Sequence, residues 1–145
     1  MALAAGGVVV AVDQLTKWWA QRALWDGSVE VVSGLLWLRL VENSGAAFGL
    51  LSGAGSLLAL VAIVAAVLIL LSIRRLEGRW EALAMGLVLG GALGNLVDRL
   101  LRGSGLADGR VVDFVDLGWW PVFNVADAAI TTGAVFLALG SLRRS

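Results

Sequence analysis

Two residue types that perform much of protein chemistry are missing from this chain of 145 residues, which contains no cysteine and no histidine. Without cysteine it can form no disulfide and offers no thiolate, so cysteine usage carries no signal about its redox compartment. Without histidine it lacks the commonest general base and metal ligand. Any chemistry must therefore use carboxylates, amides, hydroxyls, arginines or the single lysine, Lys17.

Charge is scarce as well, and it is balanced. Only 15% of the residues are charged, the 11 basic residues match the 11 acidic ones, and 59% of the chain is hydrophobic. A soluble protein of this size could not bury so much apolar surface, whereas a lipid bilayer solvates it. We therefore expect residues 1–145 to form a single α-helical membrane domain, and nothing in the charge balance indicates a nucleic-acid partner.

Four apolar segments predict four transmembrane helices. The first contains Asp13, lacks a basic residue at its start, and ends in Lys17 and two tryptophans, so we expect a membrane helix rather than a cleaved signal peptide. In the third, Gly86, Gly90 and Gly94 recur every four residues, a spacing that favours close helix packing in lipid. The predicted spans are residues 1–19, 56–73, 82–101 and 121–142.

The segments between these spans are more polar. Residues 20–55 are too mixed to cross a membrane, but period-two alternation over residues 36–41 predicts a half-buried strand, and residues 29–32 form a second candidate. We expect these strands to form a small sheet on the membrane surface. Residues 102–118 are predicted to form a polar loop, and Pro121 is predicted to lie in the first turn of the fourth helix.

Four crossings would bring most of the polar residues to one side of the membrane, because the first and third helices end there and the fourth begins there. The arginines in the short turn and at the C-terminus favour the opposite side as cytoplasmic. The residues expected near the polar face are Asp13, Asn43, Asn95, Asp98, Asp113, Asn124 and Asp127.

Asp127 has no arginine or lysine within one helical turn, so its partner must come from elsewhere in the chain. A lone buried aspartate takes up a proton at a cost in free energy. Beside a second carboxylate, such as Asp113, one proton can be shared, and the pair can act as acid and base together. The residues alone leave three roles open for these two aspartates: a catalytic pair, a structural pair, or part of an ion pathway.

Other polar residues also allow more than one interpretation. Asp98 and Arg99 can form a structural ion pair near a helix end, and Asp13 can pair with Lys17 four residues later. Asn43 is either a turn residue or an amide that contacts a substrate.

Two further enzyme classes remain open from the residues. A Ser–Lys protease would use Lys17 with Ser44 or Thr16. A site in which carboxylates bind a metal is disfavoured by the lack of histidine.

Five sequence blocks, in this order along the chain, give it a resemblance to bacterial lipoprotein signal peptidases, the signal peptidase II family of aspartyl membrane proteases. They are DQLTK at residues 13–17, NSGAAF at 43–48, GGALGNLVDR at 90–99, GRVVDFVD at 109–116 and FNVADAAI at 123–130.

The resemblance implies four transmembrane helices with an extracytoplasmic β-cradle on the membrane surface, and a hydrolase of the bacterial cytoplasmic membrane. Members of that family remove signal peptides from prolipoproteins by cleaving before a diacylglyceryl-modified cysteine, using water activated by two aspartates. Asp113 and Asp127 match that catalytic pair. The matching substrate-binding or supporting residues are Asp13, Lys17, Asn43, Asn95, Asp98, Arg99 and Asn124.

The resemblance also implies an active site near the outer membrane face and two cytoplasmic termini. The expected partners are the lipid-modified prolipoprotein and membrane lipid, with no nucleic acid. We expect a monomer that needs no metal or other cofactor.

Overall fold

Helices account for most of the computed structural model, which describes residues 1–45, 55–73, 78–103, 107 and 109–142. Four helices and three strands occur in these residues. In chain order they are α1 (Ala2–Ala23), β1 (Val29–Val32), β2 (Leu36–Asn43), α2 (Gly55–Ser72), α3 (Arg79–Leu101), β3 (Val111–Asp116) and α4 (Val125–Leu142).

Helix α3 lies at the centre of the bundle and contacts α1, α2 and α4. Close approach to α1 depends on glycine, as the four-residue spacing predicted: a Cβ atom on Gly90 would lie 2.6 Å from the carbonyl oxygen of Gly6. Gly94 has a different neighbour, because a Cβ atom there would lie 2.7 Å from a carboxylate oxygen of Asp13. The third glycine of the stripe therefore makes room for a buried charge.

The distribution of polarity is inverted relative to a soluble protein. Asp13, Lys17 and Asp98 are fully buried, while large apolar residues on all four helices are exposed. Such an arrangement is stable where lipid surrounds the helices. Helices α2, α3 and α4 are long and apolar enough to cross a membrane, whereas α1 has sufficient length but a less apolar composition.

The composition of α1 explains why it differs. Asp13, Gln14 and Lys17 interrupt its apolar sequence. The buried residues of α1 form a stripe with spacings of three and four, and this stripe faces the bundle. Asp13 and Lys17 belong to it, so their side chains point inward. The six buried residues are Ala2, Gly6, Val9, Asp13, Lys17 and Ala20.

The strands form one antiparallel sheet in the order β1-β2-β3. Both strands predicted between the first two helices are present, and β2 continues to Asn43. The sheet packs on the end of α1, where Phe114 of β3 is buried against Ala20 and Leu24. The predicted mostly helical fold with a small sheet is therefore confirmed.

Strand β3 corrects one prediction, because residues 102–118 were expected to form a loop. The strand lacks period-two alternation since both of its faces are covered: Val111, Val112, Asp113 and Phe114 are all buried. Hydrogen bonding to β2 places Asp113 opposite Val41.

The start of α4 corrects a second prediction, since Pro121 lies outside the helix. Just before α4, Phe123 exchanges backbone hydrogen bonds with Val115, at N···O distances of 3.0 and 2.9 Å. The helix begins after Asn124, whose side-chain oxygen accepts a hydrogen bond from the backbone N–H of Asp127 at 2.9 Å. This asparagine cap, rather than the proline, sets the first turn.

Candidate active site

A cleft of about 280 Å³ lies where the sheet meets the ends of α3 and α4. Asp113 enters it from β3, and Asp127 enters it from the first turn of α4. The described residues that line it are Asn43, Gly45, Leu58, Asn95, Arg99, Val111, Asp113, Trp120, Pro121, Val122, Phe123, Asp127, Ile130 and Thr131. Two carboxylates thus share a cavity with amides, one arginine and an apolar wall.

Asp113 is 2% exposed, and each of its carboxylate oxygens accepts one hydrogen bond. Asn43 Nδ2 donates to Oδ2 at 2.9 Å, and Asn124 Nδ2 donates to Oδ1 at 2.6 Å. Burial, with a further contribution from the nearby charge of Asp127, raises the pKa of Asp113 to about 7. The two amide donors oppose this rise because they stabilise the ionised form.

Asp127 is half-buried, and both of its oxygens also accept hydrogen bonds. Asn95 Nδ2 donates to Oδ1 at 2.8 Å, and the backbone N–H of Asn124 donates to Oδ2 at 3.3 Å. Because the Asp127 backbone donates back to the Asn124 side chain, the two residues cap the helix reciprocally.

Asn124 links the two carboxylates, although it is fully buried and does not itself line the cleft. Its side-chain nitrogen faces both Asp113 and the side-chain oxygen of Asn95, the latter at 3.1 Å. Its side-chain oxygen and backbone N–H both face Asp127. One residue therefore contacts both members of the aspartate pair, Asp113 and Asp127.

Arg99 lines the cleft. The predicted ion pair between Asp98 and Arg99 is wrong, because the Arg99 side chain has other partners. Its terminal nitrogens donate to the backbone carbonyls of Gly45 at 3.3 Å and Asn95 at 3.4 Å, and its buried Nε has no partner. Asp98 instead forms ion pairs with Lys17 and Arg102. Asp98 and Arg99 do not pair because adjacent residues on a helix point about 100° apart.

Behind the cleft lies a buried ionic cluster formed by Asp13, Lys17 and Asp98, all three fully buried. Lys17 Nζ lies 2.9 Å from Asp13 Oδ2 and 2.8 Å from Asp98 Oδ2, and it donates to Asn95 Oδ1 at 3.0 Å. The interpretation of Asp13 and Lys17 as an i, i+4 ion pair therefore agrees with the structure. None of the cluster's three residues lines the cleft, so none of them is placed to contact a substrate there.

The cluster argues against a Ser–Lys protease. Lys17 Nζ contacts two carboxylates and an amide oxygen rather than the hydroxyl group that such a protease would need beside it. Thr16 donates its hydroxyl hydrogen within its own helix, to Val12 or Asp13 carbonyl oxygens. Among residues that the structure describes, no group of acidic side chains is arranged to hold a metal ion.

Some contributors to this site were not identified from the sequence. Arg102 lies four residues after Asp98, so the spacing that pairs Asp13 with Lys17 could have identified it. Gln14 donates to Asp98 at 3.1 Å, but no local pattern indicates that partner because it lies on another helix. Gly45 contributes backbone groups, its carbonyl to Arg99 and its N–H to Asn43 Oδ1, and such contacts do not depend on side-chain chemistry.

Comparison with known proteins gives a consistent result. The family model described as Signal peptidase (SPase) II matches residues 6–143. A lipoprotein signal peptidase from Rhodococcus jostii is 50% identical over 137 residues, which cover 94% of this chain and 69% of that protein. One from Mycolicibacterium smegmatis is 46% identical over 141 residues, covering 97% of this chain and 60% of that protein.

Two experimental structures of bacterial membrane enzymes share this fold. A bacterial membrane enzyme determined by the in meso method at 2.3 Å resolution superposes with a TM-score of 0.86 at 29% identity, covering 98% of this chain and 87% of that one. A second, at 1.9 Å resolution, gives a TM-score of 0.84 at 29% identity, covering 99% of this chain and 94% of that one. The resemblance noted in the five sequence blocks is confirmed, and the chain belongs to the signal peptidase II family, a family of hydrolases.

Proposed function

We propose that this chain is an aspartyl endopeptidase that removes signal peptides from prolipoproteins, cutting before the diacylglyceryl-modified cysteine. The relatives are named lipoprotein signal peptidases, which supports the substrate class. The observation that carries the chemistry is that Asp113 and Asp127 enter one cleft from different elements, each held by amide donors.

In the proposed reaction, the aspartate pair holds one proton between two carboxylates. The ionised member accepts a proton from a water molecule, whose oxygen then attacks the carbonyl carbon of the scissile peptide bond. The neutral member donates its proton to the carbonyl oxygen, which gives a tetrahedral diol. The raised pKa of Asp113 supports a pair with one ionised and one neutral carboxyl group, because the shared proton is then retained near neutral pH.

The second half of the reaction breaks the carbon–nitrogen bond. The carboxyl group that gained the water proton donates it to the leaving nitrogen, and the other carboxylate takes a proton from the diol as the carbonyl re-forms. The pair thereby returns to its starting charge. Arg99 lies in the same cleft and supplies a fixed positive charge beside the two carboxylates, which offsets their repulsion.

The site also suits a substrate that resides in lipid. We propose that α1 is the fourth crossing: its 22 residues span about 33 Å at about 1.5 Å per residue, and its outward face is apolar. Exposed tryptophans at the cleft end of the bundle suit the lipid–water interface. They are Trp18, Trp19, Trp25, Trp119 and Trp120.

The tryptophans support a location of the cleft end of the bundle at one membrane surface. We place the cleft and the three-stranded sheet at the outer face of the cytoplasmic membrane, with the sheet as an extracytoplasmic cradle and both termini in the cytoplasm. Residues 1–145 then form one integral membrane domain that acts as a monomer. The substrate's apolar signal helix and acyl chains would reach the cleft from the bilayer.

The test uses purified protein in detergent with a diacylglyceryl-modified prolipoprotein, read by mass spectrometry. The wild type should produce a mass loss equal to the signal peptide, and Asp127→Asn should produce none while remaining folded. Asp116→Asn is the matched control, because Asp116 lies on the same strand as Asp113 but pairs at the surface with Arg39. This control should cleave at the wild-type rate.

Two results would contradict the proposal. One is cleavage by Asp127→Asn at the wild-type rate, which would remove this carboxylate from the reaction. The other is a wild-type protein that leaves the lipid-modified substrate intact under conditions in which a relative cleaves it. Thermal unfolding of each variant in the same detergent separates loss of chemistry from loss of fold.

A further inference from the structure

We infer that Lys17 is a positioning residue that sets the placement of both Asp113 and Asp127 through three separate contacts. The inference rests on the proposed function, since it concerns the geometry of that aspartate pair. Lys17 touches neither carboxylate of the pair and does not line the cleft. It acts through Asp13, Asp98 and Asn95.

The first contact runs through Asp13 to the start of α4. Lys17 Nζ holds Asp13 Oδ2 at 2.9 Å, and Asp13 Oδ1 accepts a hydrogen bond from the backbone N–H of Ala126 at 2.9 Å. Ala126 directly precedes Asp127. A carboxylate at a helix N-terminus is also favoured by the helix dipole, so Asp13 fixes the turn from which Asp127 projects.

The second contact runs through Asp98 to strand β3. Lys17 Nζ holds Asp98 Oδ2 at 2.8 Å, and the same oxygen accepts a hydrogen bond from the backbone N–H of Val112 at 3.1 Å. Val112 directly precedes Asp113. The two carboxylates of the buried ionic cluster therefore each bind the backbone one residue before a member of the aspartate pair.

The third contact fixes the orientation of an amide. Lys17 Nζ donates to Asn95 Oδ1 at 3.0 Å, and Asn124 Nδ2 donates to the same oxygen at 3.1 Å. An ammonium group can only donate, so the amide must present its oxygen to Lys17 and its nitrogen elsewhere. That nitrogen donates to Asp127 Oδ1 at 2.8 Å. Without Lys17, one of the two donors that select this orientation is lost.

The charges of the cluster allow its structural role to be separated from its positioning role. Lys17 and Arg102 balance Asp13 and Asp98, because Arg102 Nε lies 2.9 Å from Asp98 Oδ1. Removing Lys17 alone leaves two carboxylates with one cation, and breaking a buried ion pair is strongly destabilising. Removing one carboxylate as well restores the balance of charge but not the contacts that Lys17 makes.

The experiment compares Lys17→Met with the double variant Lys17→Met/Asp13→Asn, using the prolipoprotein cleavage assay. In the double variant the asparagine oxygen can still accept from Ala126, so charge balance should return the melting temperature close to the wild-type value. The kcat should remain about 100-fold below wild type in both variants, the size expected when reacting groups are misplaced by about 1 Å. The KM should stay within about threefold, because no cleft residue has changed.

The matched control is Arg22→Met, which removes a cation from the exposed end of the same helix. It should keep the wild-type kcat and KM. Asp127→Asn is measured alongside: if it retained activity, the proposed function would fail irrespective of any Lys17 result.

Three outcomes would overturn the inference while leaving the proposed function intact. The first is a wild-type kcat for Lys17→Met. The second is a double variant whose kcat recovers together with its melting temperature, since the cluster would then serve stability alone. The third is a double variant that does not fold, because balanced charge would then be insufficient to maintain the structure.

Discussion

Removal of the Asn124 side chain should impair both catalysis and folding, because this side chain contacts both members of the aspartate pair. In Asn124→Ala, Asp113 loses its 2.6 Å amide donor and the backbone N–H of Asp127 loses its cap. An N-cap contributes about 1 kcal/mol to stability. A hydrogen bond to a charged group contributes roughly 1.5 to 3 kcal/mol.

These magnitudes predict two separate losses. The free energy of unfolding should fall by about 2.5 to 4 kcal/mol, the sum of the cap and the amide donor. If only the lost hydrogen bond to Asp113 raises the activation free energy, kcat should fall roughly 10- to 150-fold, since about 1.36 kcal/mol corresponds to a factor of ten.

Asn124→Ser separates the two contributions, because serine is also a good N-cap but lacks the amide nitrogen that reaches Asp113. Its thermal stability should lie closer to wild type than that of Asn124→Ala, while its kcat should remain reduced. The assays are cleavage of lipid-modified prolipoprotein and thermal unfolding in the same detergent. A kcat within threefold of wild type for both variants would refute the role assigned to this amide.

Two further predictions concern protonation and packing. Because burial and Asp127 raise the pKa of Asp113 to about 7, the proton shared by the pair should be lost as pH rises through that value. The kcat should therefore fall above about pH 7, approaching tenfold per pH unit, and a flat profile to pH 9 would contradict this. Gly90→Ala should lower stability by about 1 to 3 kcal/mol, since its Cβ would meet Gly6 O and Val9 Cβ, each at 2.6 Å. Gly140→Ala, with nothing within 4 Å, should not destabilise, and equal melting temperatures for the two variants would be the contrary result.

Helices and the first two strands were predictable because their signals are local. The charge-free run of α2 and the alternation in β2 each depend on residues a few positions apart. Strand β3 was missed because both of its faces are covered, so its buried residues do not alternate with exposed ones. Its Asp113 interrupts an apolar run and gives the segment the composition of a loop.

The site was predictable in its composition but only partly in its connections. Pairs four residues apart on one helix can be read from spacing, as Asp13 and Lys17 were. The ion pair between Asp98 and Lys17 could not be predicted from spacing, because the two residues lie on different helices and are 81 positions apart in the chain. The predicted Asp98–Arg99 pair was wrong because proximity in sequence does not place two side chains on the same helix face.

The central claim is that Asp113 and Asp127 act as one unit, and the most direct test is the kcat of Asp113→Asn, Asp127→Asn and the double variant. Each single substitution should lower kcat by about 10³-fold or more, and the double should be no slower than the worse single, because either loss disables the shared-proton mechanism. A single variant that retains a tenth of the activity, or a double whose loss is the product of the two single losses, would contradict the account.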